Sequence, residues 1–110
     1  LNKALTQFFR DTEWGELDYL VLDLPPGTGD VQLTITQQVP LAGGVIVTTP
    51  ADVALLDVRR GVRMFQEVKA PVIGVIENMS WHECRSCGHR TELFGHGGGE
   101  RFARELGIPF

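Results

Sequence analysis

The chain has 110 residues, 43% of them apolar and 22% charged, with a net charge of −4. That balance describes one globular domain with a modest core. It argues against nucleic acid as a partner, because the lysines are Lys3 and Lys69 alone and Arg59, Arg60 and Arg63 read as a solvated helix face rather than a phosphate track.

No apolar run approaches the ~20 residues of a membrane span and no secretory signal is visible, so no membrane role is expected. The two cysteines, Cys84 and Cys87, share one short cluster. They cannot build a disulfide framework and fit a reducing cytoplasm.

Leu1 to Arg10 places Leu1, Leu5, Phe8 and Phe9 at helical spacing and reads as the end of a helix. Leu17 to Leu24, bounded by Gly15 and Pro25, reads as a buried strand. Asp30 is expected to cap a short helix over Val31 to Gln38, closed by Pro40 and Gly43-Gly44. Val45 to Thr49 is a β-branched run stopped by Pro50, a second buried strand.

Asp52 is expected to cap an amphipathic helix. Its apolar positions are Val53, Leu56, Val58, Val62, Phe65 and Val68, interleaved with Asp57, Arg59, Arg60, Arg63 and Glu67. Pro71 to Glu77 reads as a third strand, and Asn78 to His96 as an irregular stretch. Gly97-Gly98-Gly99 reads as a flexible entry to a last helix, Glu100 to Leu106, ended by Gly107. Ile108-Pro109-Phe110 would open a fourth strand. A start without Met and an apolar finish are those of a piece of a longer protein.

Near-continuous apolar strands alternating with helices predict an α/β fold, a parallel sheet with flanking helices and right-handed crossovers. Ligands of such sheets bind beyond the carboxyl ends of the strands. Asp23, Thr48-Thr49-Pro50 and Glu77-Asn78 occupy those ends and are expected along one edge.

Two motifs carry chemistry. After the run ending at Leu22 come Asp23, a loop of two prolines and two glycines, and Asp30. This arrangement presents carboxylates and bare backbone amides to a phosphate or a metal. An ordinary βα connection would share the Gly/Pro content without the flanking acids.

The second motif is Cys84-x-x-Cys87, with His82 and His89 two residues outside. Its thiolates can serve a zinc site completed by those histidines, a redox dithiol, or half of an iron–sulfur site that needs a second copy. Gly97 to Gly99 lacks the G-K-[ST] ending of a phosphate loop.

Leu22-Asp-Leu-Pro-Pro-Gly-Thr-Gly-Asp30, Val75-Ile-Glu-Asn-Met-Ser80, Cys84-x-x-Cys87 and Phe94-Gly-x-Gly-Gly-Gly99 occur in this order. With them the chain resembles the Mrp/ApbC-type P-loop ATPases, iron–sulfur cluster carriers related to MinD. The resemblance implies that residues 1–110 are the C-terminal portion of a single P-loop ATPase domain.

It further implies that Asp23 holds the magnesium shell and that Pro25 to Asp30 form a switch loop whose Gly27 and Gly29 amides face the γ-phosphate of ATP. Asp30 belongs to that switch. Asn78 reads adenine, and Cys84 and Cys87 bridge a four-iron four-sulfur cluster with the same pair of a second subunit. The implied protein is a homodimer that hands clusters to apo iron–sulfur proteins. The family's P-loop lies upstream of everything in these residues, so the sheet is expected to expose apolar faces and the 110 residues alone are expected not to hydrolyse ATP. A module with zinc on Cys84, Cys87, His82 and His89, without nucleotide chemistry, is the alternative.

Overall fold

In the computed structural model, which describes residues 2–24 and 29–110, two helices come first, α1 (Asn2–Arg10) and α2 (Asp30–Gln38). They are followed by strand β1 (Gly44–Thr48), helix α3 (Asp52–Glu67) and strand β2 (Val72–Glu77). A small hairpin, β3 (His82–Glu83) and β4 (Arg90–Thr91), then leads to helix α4 (Gly98–Leu106). Strands β1 and β2 pair in parallel, with Ile46 opposite Val75, Val47 opposite Ile76 and Thr48 opposite Glu77. Helix α3 is the crossover that a parallel pair requires. The expected α/β arrangement of parallel strands and flanking helices is therefore present.

One face of the pair carries the core. Ile46 and Val75 meet Val62, Met64 and Phe65 of α3 and Phe102 and Ala103 of α4. Val62 is 1% exposed and Phe102 3%. The buried stripe of α3 runs through Leu55, Val58, Val62 and Phe65, whereas Val53 and Leu56 face solvent. The helix is thus rotated from the face expected for its first turn, since a stripe is chosen by what packs on it. The other face of the sheet, with Val45, Val47 and Ile76, is exposed; of the two apolar faces expected in solvent, α3 and α4 cover one.

Three expectations are corrected. Residues 17–24 are not a strand, and Tyr19 and Val21 are 87% and 88% exposed. Among the described residues the sheet contains only β1 and β2. An apolar run without a neighbour for its N–H and C=O groups, or a layer over its side chains, has nothing to make it a buried strand.

Ile108-Pro109-Phe110 also forms no strand, although the Pro109 carbonyl accepts the Val75 N–H at 2.9 Å. A single bond to a three-residue segment makes no ladder. Asp30 and Asp52 are the first helical residues, and the caps are Gly29 and Ala51. At Asp52 a carboxylate in the first turn still complements the helix dipole.

The N-terminal part is held more loosely. Phe8 stacks edge-on against Trp14 and Phe9, and the Thr6 hydroxyl donates to Gln38 Oε1 at 3.0 Å. The radius of gyration is 16.7 Å, against about 13 Å for a compact domain of this length. Among the described residues no helix is long and apolar enough to cross a membrane.

Candidate functional site

The carboxyl ends of β1 and β2 form the first half of the site. The parallel register brings Thr48 beside Glu77, and the Asn78 N–H donates to the Thr48 carbonyl at 2.7 Å, extending the ladder by one residue. Asn78 Oδ1 accepts the Met79 N–H at 2.8 Å, and Met79 turns into the left-handed region at φ 57°. The Asn78 side chain is exposed, and its N–H2 has no protein partner among the described residues. A rigid backbone thus presents an uncommitted amide donor where parallel sheets take ligands.

Glu77 reaches from the same edge to the start of α4. Its Oε1 accepts the Ser80 hydroxyl at 2.9 Å and the Gly97 N–H at 3.2 Å, and its Oε2 accepts the Gly99 N–H at 2.6 Å. Gly97, at the N-cap of α4 in the left-handed conformation, has no side chain to satisfy the helix's first amides, and the Glu77 carboxylate does so from a distance. Gly98 and Gly99 are buried, and a Cβ on Gly98 would run into the Pro50 carbonyl. Partial burial works against the charge on Glu77. The Gly99 N–H, the Ser80 hydroxyl, the Gly97 N–H and nearby His96 outweigh it and hold the carboxyl below its usual range.

The glycine run is therefore a fixed, close-packed junction and not the flexible entry expected. Sequence reasoning took Glu77 only as a strand end. The signal that could have found its role is a helix start made of three glycines, which must borrow its acceptor from elsewhere.

The cysteine hairpin is the second half. Antiparallel β3 and β4 pair His82 with Thr91 and Glu83 with Arg90. Beyond them the Cys84 N–H donates to the His89 carbonyl at 2.9 Å and the Gly88 N–H to the Cys84 carbonyl at 2.8 Å. Gly88, at φ 70°, permits that turn. Arg90 pairs with Glu83 at 3.0 Å and lies 5.2 Å from the Trp81 ring centre.

Cys84 is half-buried, Cys87 is exposed, and both thiols are free. The backbone N–H groups of Ser86 and Cys87, with the Cys87 thiol, draw the Cys84 thiol below its ordinary range against a small effect of burial. Among the described residues no three His, Cys, Asp or Glu side chains converge to hold a metal. His82, on β3, and His89, in the loop just before β4, are thus not gathered with the two thiols into a four-ligand zinc site among the described residues.

Of the other expected residues, Asp23 is exposed in the extended segment and is not brought into the sheet with Thr48 and Asn78. Asp30 opens α2. Gly27 lies outside the described residues, with Pro25, Pro26 and Thr28. Of the three strand ends expected along one edge, the structure brings together two.

The model of the family described as NUBPL iron-transfer P-loop NTPase (ParA) matches residues 1–110. The chain belongs to that family. It is 60% identical over 108 residues to the iron–sulfur cluster carrier protein of Pseudomonas fragi, covering 98% of this chain and 38% of that protein. It is 53% identical over 110 residues to the iron–sulfur cluster transfer protein NUBPL of Dictyostelium discoideum, covering 100% of this chain and 34% of that one. The chain therefore spans little more than a third of the length of these relatives. Among solved structures, the nucleotide-binding protein of Archaeoglobus fulgidus in complex with ADP matches with a TM-score of 0.85 and 43% identity, over 99% of this chain and 45% of that one.

Proposed function

We propose that the protein is a nucleotide-dependent iron–sulfur cluster carrier, with Cys84 and Cys87 as the cargo ligands. The observation that carries this is the free thiol pair on a hydrogen-bonded turn with no third ligand within reach among the described residues. Two thiols satisfy half of a cluster that commonly takes four. A second copy of the chain, apposed through the same hairpin, supplies the other half, so the carrier is a homodimer with the four-iron four-sulfur cargo at its interface. A cluster held by two exposed hairpins is accessible to an apo iron–sulfur protein that removes it. Free thiols suit a reducing cytoplasm.

The chain's own residues also fit a nucleotide. Asn78 offers its amide donor to a heterocycle from a position fixed by the Thr48 carbonyl. Asp23 is assigned to magnesium, and Gly27, Gly29 and Asp30 to the phosphate switch, on the strength of their motif and of family membership. Bound ATP with magnesium supplies the phosphate charge that such a switch senses, and its hydrolysis is the family's NTPase chemistry.

Anaerobic reconstitution with iron and sulfide tests the reading. The expected result is a broad visible absorption with about two irons per chain, absent in Cys84→Ser and in Cys87→Ser. Stoichiometric zinc retained without that absorption would overturn it.

A further inference from the structure

The stretch carrying the cysteines leaves the sheet edge at Ser80 and returns at Gly97, and both ends bind the same oxygen. Glu77 Oε1 accepts the Ser80 hydroxyl at 2.9 Å and the Gly97 N–H at 3.2 Å, while Oε2 holds Gly99 at 2.6 Å. Residues 81–96 between these anchors form no strand with β1 or β2. The β3–β4 pair within them is two residues per strand, too short to fix its own orientation. The neighbour of Glu77 in sequence is Asn78, held to the Thr48 carbonyl and followed by the left-handed Met79. One carboxylate thus joins three things: the turn that presents Asn78, both necks of the cysteine hairpin, and the first amides of α4.

We propose that Glu77 is a positioning residue, a clamp on both necks of the cysteine hairpin that ties its orientation to the Asn78 turn. The coupling part rests on the proposed carrier function. A shift of the Asn78 turn when a nucleotide binds moves the carboxylate, and the carboxylate moves both necks together. Because a carboxylate accepts all three bonds and donates none, an amide in its place cannot reproduce them. In Glu77→Gln the N–H2 group meets at least one N–H donor.

The test is amide hydrogen exchange on the protein at its natural length, in wild type, Glu77→Gln, Ser80→Ala and the double variant. Glu77→Gln is expected to speed exchange at Gly97 and Gly99 and across residues 81–96 by about tenfold, the effect of losing a hydrogen bond to a charged acceptor. Residues 44–48 and 62–65 are expected to keep the wild-type rate. Ser80→Ala, which frees one neck, is expected to give a smaller increase over 81–96, and to add little on top of Glu77→Gln because the two share one interaction. Unchanged exchange over 81–96, or an equal increase in the core, would overturn the clamp. Should Glu77→Gln not fold, Ser80→Ala decides: a hairpin-selective increase supports the clamp and a wild-type pattern overturns it.

A second readout reaches the coupling. In cluster-loaded protein, with nucleotide at saturation, the nucleotide-dependent change in cluster transfer per bound cluster is expected to fall about fivefold or more in Glu77→Gln, a loss typical of a broken coupling between sites. An undiminished nucleotide response would overturn it. A wild type that binds no cluster or shows no nucleotide response removes the carrier reading and the coupling with it, while the exchange rates still decide the clamp.

Discussion

Residues 44–106 and residues 2–24 have similar apolar character but opposite fates. In the first region each apolar run meets another: Ile46 and Val75 lie side by side in one ladder, α3 closes over them with Val62 and Phe65, and α4 adds Phe102. In the second, Tyr19, Leu20 and Val21 extend along the surface with their side chains in solvent. What separates the two is the presence of a partner surface. An apolar run contributes stability only through the area it removes from water, and a strand exists only where a neighbour takes its backbone groups.

Phe102→Ala should give the largest effect. Phe102 is 3% exposed at the junction of α4 and the sheet, and its truncation is expected to cost about 3–5 kcal/mol, read from the denaturation midpoint. A loss below about 1 kcal/mol would show that the packed region is less cooperative than its burial implies.

Acid should act on the junction more selectively. The Glu77 carboxyl titrates below its usual range in the folded chain, so its clamping contribution is fully present above the ordinary carboxylate range and disappears as pH falls through the depressed value. His96 is the titratable group beside it. Protection of Gly97 and Gly99, corrected for intrinsic exchange, is expected to hold down through the ordinary carboxylate range and to fail below it. A transition above the ordinary carboxylate range would report a group other than Glu77.

Val21→Ser should give the smallest effect. With Val21 88% exposed, its replacement is expected to change stability by less than about 0.5 kcal/mol. A cost approaching that of Phe102→Ala would mean that residues 17–24 are covered in the working protein and that the contrast between the two regions ends there.

The difference between the regions also explains what could be read in advance. Strands β1 and β2 and helices α3 and α4 were legible because their periodicity and their punctuation by Pro50, Pro71 and Gly107 agree with the packing they find. Residues 17–24 carry an equally clear strand pattern, yet that pattern states only what the segment would do beside a neighbour.

The candidate site divides in the same way. The cysteine pair and Asn78 stand out as residue types in a recognisable order. Glu77 does not, since a glutamate closing a strand announces nothing until α4 folds back and brings three glycines within its reach.

The amino-acid sequence by itself determined the family, the alternation of strand and helix, and the residues that carry chemistry: Cys84, Cys87, Asn78 and the Asp23-to-Asp30 loop. These follow from local pattern and from side-chain chemistry, which need no partner. Tertiary structure alone decided which apolar runs are buried, which histidines stay away from the thiols, and which carboxylate holds the start of α4. The first and the last of these depend on groups 20 or more residues apart meeting in space, as Glu77 and Gly97 do, and no local pattern encodes such a meeting.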